Sequence, residues 1–405
     1  MNCDLIITVT DKAARSIRSG HPWVYDGEVI TVSGIGEDGC LARVETKSGK
    51  WLGIGFFNSN SRIRVRIITR NQNDTIDEAF WVRRLQYAVE YRCVVMGPDF
   101  SNCRLIFGES DGFPGLTVDR FGPVLVTQVL SLGMERMKEQ LFSALVEILR
   151  ESGETIDAVY ERNDVKLREK EGMRQQTGFL ALPGLQTDLT GHVEITENGV
   201  HYDVDYFNGQ KTGFFLDQKY NRQAVARLAK GKRVLDCFTH TGAFGLNCAL
   251  AGAESVLSVD VSADALEQAK RNAELTGVTN VEFLQKDVFD LLTELAEEKR
   301  GAYDLVILDP PAFTKSSATV ASAVRGYKEI NLKAMRILPR GGYLATCSCS
   351  HFMTDDRFRA MLADAAKDAQ VQLRQIEARQ QGPDHPILWN VPETSYLKFY
   401  IFQIV

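Results

Sequence analysis

Hydrophobic and polar positions change rhythm twice along the chain, and the changes divide it into three stretches. Residues 1–72 show short β-type runs broken by glycine, at Leu5–Val9, Gly27–Val32, Leu41–Val44, Trp51–Phe57 and Arg62–Ile68. No long helical period accompanies them, so a small β-rich domain is expected there. Over 73–188 two periods mix. Leu125–Leu130 and Asp157–Arg162 read as strands, while Met134, Met137, Leu141, Leu145 and Ile148 recur at intervals of three and four, the apolar stripe of an amphipathic helix. The polar stretch Asn163–Thr177 reads as an exposed loop or edge. From 189 the rhythm changes again. Val193–Thr196 and Val200–Tyr206 flank Asn198-Gly199, a hairpin signal because both turn residues tolerate positive φ. Strands at Arg233–Phe238, Glu254–Val259, Val281–Gln285, Asp304–Leu308 and Tyr343–Cys347 then alternate with helices at Gly245–Ala251, Ala263–Leu275, Tyr327–Ile337 and Arg357–Ala369. Such alternation predicts a parallel sheet with helices on both faces. The expected fold is α/β: a Rossmann-like domain at 189–405, an α+β domain at 73–188 and a β-rich domain at 1–72.

A length of 405 residues suits two or three domains, and 44% hydrophobic with 25% charged residues is ordinary for globular chains. No apolar run is long enough to span a bilayer. Met1 to Thr10 lacks a basic segment followed by an apolar one, so no signal peptide is read. The eight cysteines (Cys3, Cys40, Cys93, Cys103, Cys237, Cys248, Cys347, Cys349) are scattered. Only Cys347 and Cys349 are close, at a spacing wrong for a zinc knuckle, so reduced thiols, no metal and a cytoplasmic setting are expected. Residues 1–72 hold 10 Lys/Arg against 7 Asp/Glu, a net of +3 that leaves −9 on the rest of a chain whose total is −6. In Arg62–Ile68, Arg62, Arg64 and Arg66 alternate with Ile63, Val65 and Ile67. Period-two spacing puts three guanidiniums on one face, which reads equally well as a solvated strand face or as one that contacts RNA.

The first strand-to-helix turn reads Val234-Leu235-Asp236-Cys237-Phe238-Thr239-His240-Thr241-Gly242-Ala243-Phe244-Gly245. Its small residues let backbone come close to a ligand at the helix N-terminus, which makes Asp236, Phe238, Thr241 and Gly242 candidate cofactor contacts. The G-x-G-x-x-G pattern is absent, which points away from a dinucleotide. Asp260, ending the second strand, is placed to accept bonds from both ribose hydroxyls of an adenosine; its plainer reading is a turn aspartate. Lys286-Asp287-Val288-Phe289 closes the third strand and puts Asp287 and Val288 where an adenine would lie. The fourth strand ends in Asp309-Pro310-Pro311-Ala312-Phe313, whose tandem prolines turn backbone carbonyls toward the crevice outside the strand ends. Pro310 and Phe313 are the candidate contacts to a flat base held beside a methyl donor. Together these residues indicate S-adenosylmethionine as cofactor.

The fifth strand ends in Ala345-Thr346-Cys347-Ser348-Cys349-Ser350-His351. Carbon 5 of cytosine is a poor nucleophile until a thiolate adds at carbon 6. A thiol beside the Asp309 loop suits that chemistry, provided its pKa is lowered. Taken singly, either cysteine reads more simply as a small half-buried residue.

With these residues in view, the sequence resembles the RlmI family of ribosomal RNA cytosine-5 methyltransferases over nearly its whole length. Gly20-His21-Pro22-Trp23-Val24-Tyr25 resembles the start of a PUA-type RNA-binding module. Residues 107–120 and Tyr160-Glu161-Arg162 match in the centre, and Gly209-Gln210-Lys211-Thr212-Gly213-Phe214-Phe215-Leu216-Asp217-Gln218-Lys219-Tyr220-Asn221-Arg222 is the most specific mark. Asp384-His385-Pro386 and residues 392–398 match in the tail. The resemblance implies Gln218 as a cofactor contact, 23S ribosomal RNA as substrate and a homodimer. It also implies Cys349, in its Ser-Cys-Ser setting, as nucleophile, with Cys347 an alternative that spacing leaves open. Pro311 stands where many RNA cytosine-5 methyltransferases place a second cysteine, so proton removal needs another base, Asp309 or Glu393. Two other readings remain: methylation of a base nitrogen, which needs no thiol, and an RNA-binding adaptor without catalysis.

Overall fold

The computed structural model describes residues 4–298, 301–314 and 316–405, so Cys3 and the Met1–Cys3 part of the N-terminal stretch lie outside the described residues. The chain divides into two compact units. The first comprises 1–194, 204–216 and 383–394; the second comprises 195–203, 217–382 and 395–405.

The first unit holds two sheets. One has six strands, Leu5–Val9, Trp23–Tyr25, Val29–Ser33, Leu41–Thr46, Trp51–Phe57 and Ile63–Thr69. A helix the β-type reading missed, Asp11–Arg18, packs Ala13, Ala14 and Ile17 into the core of this sheet, with Thr10 capping it. Eight residues give barely two turns, too few for a period to stand out. The other sheet has five strands, Asn102–Phe107, Leu116–Phe121, Val124–Val129, Ala158–Asn163 and Gln176–Phe179, accompanied by helices Glu78–Met96 and Leu132–Glu151. The stretch expected as loop or edge carries one helical turn, Leu167–Lys170, and the edge strand Gln176–Phe179. The hairpin His192–Glu197/Val200–Asp205, of which residues 195–203 belong to the second unit, turns through Asn198 and Gly199 at φ 55° and 83°.

The second unit is a seven-stranded sheet with helices. Its strands are β1 (Arg233–Cys237), β2 (Ser255–Asp260), β3 (Val281–Gln285), β4 (Leu305–Leu308), β5 (Tyr343–Ser348), β6 (Leu373–Arg379) and β7 (Lys398–Ile404). The helices are α1 (Lys219–Ala226), α2 (Ala243–Leu250), α3 (Ala263–Thr276), α4 (Val288–Glu298), α5 (Val320–Ile337) and α6 (Asp355–Ala369). The order is β3-β2-β1-β4-β5-β7-β6; the first five strands run parallel, and β7 lies antiparallel between β5 and β6. All four residues of β4 are buried, as expected of a strand covered on both faces. Two apolar clusters form the core, one with Tyr327, Phe358 and Met361 and the other with Phe244, Cys248 and Phe399. No helix among the described residues is long and apolar enough to cross a membrane.

Candidate active site

Register brings the candidate residues to one edge of the sheet. Cys237 pairs with Val259 and Leu308, Leu308 with Thr346, and Asp260 with Gln285. The segments that follow β1, β2, β3, β4 and β5 therefore emerge together, at the crevice where parallel α/β sheets place ligands.

The turn after β1 is strained in a specific way. Phe238, His240 and Gly242 all have left-handed backbone, at φ 61°, 50° and 84°. For the two non-glycine residues this costs about 1–2 kcal/mol each, offset by the bonds that hold the turn. His240 N donates to Asp260 Oδ2 at 2.9 Å, and Thr239 N to Val259 O at 3.0 Å. Thr241 O accepts from Asn272 Nδ2 at 3.0 Å. Gly245 is needed where α2 meets the strands, since a Cβ there would lie 2.4 Å from Ser258 Oγ. Asp236 is wholly buried; its Oδ2 accepts from Gly245 N at 2.8 Å and from the Thr239 hydroxyl, while Oδ1 accepts nothing. Burial pushes its pKa up to about 7.

Asp260 is a turn residue and more. Its Oδ1 accepts from Ser262 N and its Oδ2 from His240 N, both at 2.9 Å, which fixes a carboxylate that keeps further lone pairs. Asp287 is exposed, its Oδ1 accepting from Phe289 N at 2.7 Å. The Val288 side chain packs into the core, so the residue offers a ligand only its backbone amide. The group these residues would hold is a nucleoside bearing a charged tail. They fit S-adenosylmethionine through one unsatisfied buried carboxylate oxygen at Asp236, an oriented carboxylate at Asp260 and an exposed one at Asp287.

At the end of β4, Asp309 Oδ1 accepts from Gln218 Nε2 at 3.1 Å and from the Cys347 thiol at 2.8 Å. Part of its surface stays open, yet burial still pushes its pKa up to about 6. Gln218 is itself oriented, its Oε1 accepting from Asn221 Nδ2 at 2.6 Å. Helix α1 is fixed beside it by the buried pair Arg222–Glu197, with bonds of 2.6 and 2.9 Å. Cys347 is fully buried, and burial together with Asp309 raises its pKa well above the usual thiol value. Cys349 is partly exposed. The two serines flanking it both reach Tyr327: Ser348 Oγ donates to Tyr327 Oη at 2.9 Å, and Ser350 Oγ lies 3.2 Å from it. Pro310 is buried and Pro311 exposed. Phe313 is half-buried in an aromatic cluster, 4.5 Å from Tyr327 and 6.4 Å from Phe238 between ring centres, which limits the face it can offer a base.

One expectation needs correction. The arginines of the 62–68 strand do not share an open face. Arg62 is exposed and Arg64 half-buried, but Arg66 is buried, with Nη1 3.3 Å from Glu109 and Nη2 2.9 Å from Glu171. The second face of that strand is covered by the central segment, which periodicity alone does not reveal. Glu393, considered as a base, belongs to the first unit, where it bonds His21 Nε2 at 3.3 Å. Clefts of about 510 and 460 Å³ in the same unit are lined by arginines, Arg70 and Arg84 in one and Arg104 and Arg162 in the other.

Residues 150–403 match the S-adenosylmethionine-dependent methyltransferase family, and residues 7–70 match the PUA-like domain. Ribosomal RNA large subunit methyltransferase I of Aeromonas hydrophila is 42% identical over 388 residues, covering 95% of each chain. The Photobacterium profundum protein of that name is 43% identical over 392 residues, again covering 95% of each. The chain belongs to the ribosomal RNA large subunit methyltransferase I family. The fold is also that of a putative S-adenosylmethionine-dependent methyltransferase from Streptococcus mutans, with TM-score 0.81 at 19% identity over 98% of this chain and 99% of that one. A putative methyltransferase complexed with SAH gives TM-score 0.82 at 19% identity, covering 99% and 100%. Membership of the ribosomal RNA large subunit methyltransferase I family makes S-adenosylmethionine the cofactor. Three side chains were given no role in the sequence: Tyr327, which bonds the serines beside Cys349, Asn221, which orients Gln218, and Lys398, which bonds the Ser350 carbonyl. Asn221 and Lys398 carried a signal, since both lie in segments that match the family.

Proposed function

We propose that the chain methylates C5 of a cytosine in 23S ribosomal RNA, with Cys349 as covalent nucleophile. The observation that carries this reading is the difference between two thiols on one strand. Cys347 is sealed in and bonded to Asp309, whereas Cys349 is partly exposed beyond the end of β5, between two serines tied to Tyr327.

S-adenosylmethionine supplies a methyl group on a positively charged sulfur that a carbon nucleophile can displace. Asp260 would accept from its ribose hydroxyls, Asp287 and the Val288 amide would hold the adenine, and Asp236, Phe238, Thr241 and Gly242 would line the turn beside it. Gln218 holds Asp309 in place. The Cys349 thiolate adds to C6, forming an S–C6 bond and pushing electrons to C5, to which the bound cofactor would supply its methyl group, the S–CH3 bond breaking and the cofactor being left as the uncharged thioether. Asp309 then removes the C5 proton, the C5–C6 double bond re-forms and the thiolate leaves. Residues 1–72 dock the RNA, Arg62 and Arg64 being the arginines of their strand left to meet phosphate; 73–188 support them and 189–405 carry the chemistry. A cytoplasmic setting suits both reduced thiols and this substrate, and a homodimer accords with the resemblance.

Replacing Cys349 by Ser is expected to abolish turnover, measured as 5-methylcytosine by mass spectrometry, with cofactor affinity unchanged. RNA carrying 5-fluorocytosine at the target is expected to trap a covalent adduct with the native chain, because fluorine cannot leave as a proton does. An active Cys349→Ser chain that forms no adduct would overturn the thiol mechanism. Methylation of a base nitrogen, which an Asp-Pro-Pro-Ala-Phe loop also suits, would then take its place.

A further inference from the structure

The cleft of about 510 Å³ in the first unit is bounded by the end of strand Ile63–Thr69, helix Glu78–Met96, the turn at 108–112 and the tail segment at Leu388 and Val391. Its two arginines are held by carbonyls. Arg84, half-buried, donates from Nη1 to Gly112 O at 2.9 Å and from Nη2 to Ile68 O at 2.7 Å. Its guanidinium lies 4.3 Å from the centre of the Phe80 ring. Gly112 leaves room for it, since a Cβ there would lie 2.5 Å from Nη1. Arg70, exposed, donates from Nη1 to Gly20 O at 2.8 Å. Among the described residues neither arginine makes an ion pair. The carboxylates of the cleft wall are engaged by other groups: Glu109 accepts from Trp23 Nε1 and Arg66, and Asp111 from Arg92 through two bonds. Asp74, which favours the charge of Arg84 from beyond ion-pairing distance, accepts from Thr69 Oγ1 and Asn71 Nδ2. The carbonyls thus orient two guanidiniums and leave most of their N–H donors unused. Burial pulls the Arg84 pKa down to about 10 and lowers that of Arg70, as expected of cations drawn from water without a counter-charge.

Aromatic rings stand beside these cations. Tyr87, one helical turn from Arg84, lines the same cleft and is 61% exposed. Leu388 and Val391 line it from a turn that Val391 N closes by donating to Leu388 O at 2.9 Å. The Thr394 hydroxyl pins this turn, accepting from Leu388 N at 2.9 Å and donating to Val391 O at 2.7 Å. Trp389 lies within the turn and is 98% exposed. One apolar side chain in water needs no explanation. An indole on a fixed turn and a phenol on a helix, beside two cations without anions, do call for one. Arginine for phosphate and flat rings for unstacked bases are the two parts of single-strand recognition. We propose that this cleft docks a single-stranded segment of the RNA substrate, Arg70 and Arg84 holding a phosphodiester while Trp389 and Tyr87 stack adjoining bases. This rests on RNA being the substrate, and not on which of its atoms is methylated. A duplex keeps its base faces stacked, so the site selects a loop or an unpaired stretch. Arg62 and Arg64 lie outside the residues that line the cleft, which makes the two surfaces separable by mutation.

The test is filter binding of a 23S ribosomal RNA transcript to the full chain over a range of salt concentrations. Trp389→Ala alters a side chain that meets only solvent and is expected to weaken binding about five-fold or more, while Trp389→Phe keeps most of the affinity. Arg70→Gln and Arg84→Gln are each expected to lower the salt slope by about 0.7. Cofactor affinity by calorimetry is expected to stay native and reports folding; should Arg84→Gln not fold, Arg70→Gln, at an exposed position, decides. A short oligouridylate is expected to displace the transcript from the native chain, and a duplex of the same length to displace it poorly. Native affinity in Trp389→Ala overturns the site and leaves the exposed ring to a protein partner. A native salt slope in the folded arginine variants overturns the phosphodiester contact, and a duplex that competes as well as the single strand overturns the single-strand preference. Cys349→Ser is expected to bind RNA as the native chain does. An active Cys349→Ser chain alongside weakened binding in Trp389→Ala keeps the site and sinks the nucleophile; an inactive one alongside native binding in Trp389→Ala does the reverse.

Discussion

Both units bury charge, but on opposite terms. In the first, Arg92 is wholly buried and bonds Asp111 through two contacts of 2.6 and 2.8 Å, and Arg104 meets Asp119 through two of 2.7 Å. Arg66 bridges Glu109 and Glu171. Each of these three cations has its anion. At the strand ends of the second unit the buried ionisable groups lack such partners: Asp236 with one oxygen bare, Asp309 against a thiol, and Lys398 on carbonyls. Their pKa values are displaced toward neutrality, to about 7, about 6 and about 8. Away from that edge the second unit returns to pairing, as Arg222 and Glu197 do. Paired burial shapes a fold, whereas unpaired burial leaves a group able to exchange a proton near neutral pH, which is what acid–base chemistry requires.

The comparison breaks first at Asp309. Asparagine there is expected to lower turnover by about 10²–10⁴-fold with little change in cofactor affinity. In the native chain kcat is expected to fall as pH drops through about 6 and the carboxyl gains its proton. A variant with native turnover would show that an unpaired carboxyl here is only structural. Next comes the paired side. Methionine in place of Arg92 leaves Asp111 buried without its partner and is expected to cost about 3–5 kcal/mol of stability in urea unfolding, leaving cofactor affinity per folded molecule unchanged. A smaller effect separates the two kinds directly. The folded pKa of Asp236, about 7, lies above the ordinary aspartate value of 3.8, so the folded state holds that proton more tightly and stability from this group declines as pH rises between those values. Asn at 236 does not titrate and is expected to gain on the native chain between pH 5 and 7.5 in cofactor-free unfolding; equal pH slopes would refute the displacement. The smallest change is expected at Arg62 and Arg64. Neutralising both is expected to reduce the salt slope of RNA binding by about 1–2, measured by filter binding, and an unchanged slope moves the RNA to another surface.

Strand β3 is legible to the residue, and β1, β2, β4 and β5 are displaced by one residue or less, because strands buried on both faces announce themselves as short apolar runs. Helix Glu78–Met96 was missed because apolar residues surround it rather than line one face. Strand β6 shows only Leu373 and Ile376 among polar residues, as an edge strand can. Asp236, Asp260, Asp287 and Asp309 lie together because strand ends share an edge by topology. The difference in burial between Cys347 and Cys349 was not legible. Two residues apart, they differ in access only because β5 ends between them, and the side chains around the second come from α5 and β7, distant in sequence.

Strand β7 is the last of the seven to leave the ribosome, yet it has neighbours on both sides, β5 and β6. The sheet therefore has a vacant slot throughout most of synthesis, flanked by two strands whose edges are open to wrong pairing. Closing it requires contacts between residues far apart in the chain, which slows folding. It also means that the nascent chain completes this edge last: until β7 docks, Ser348 at the end of β5 lacks the strand partner it has in Lys398.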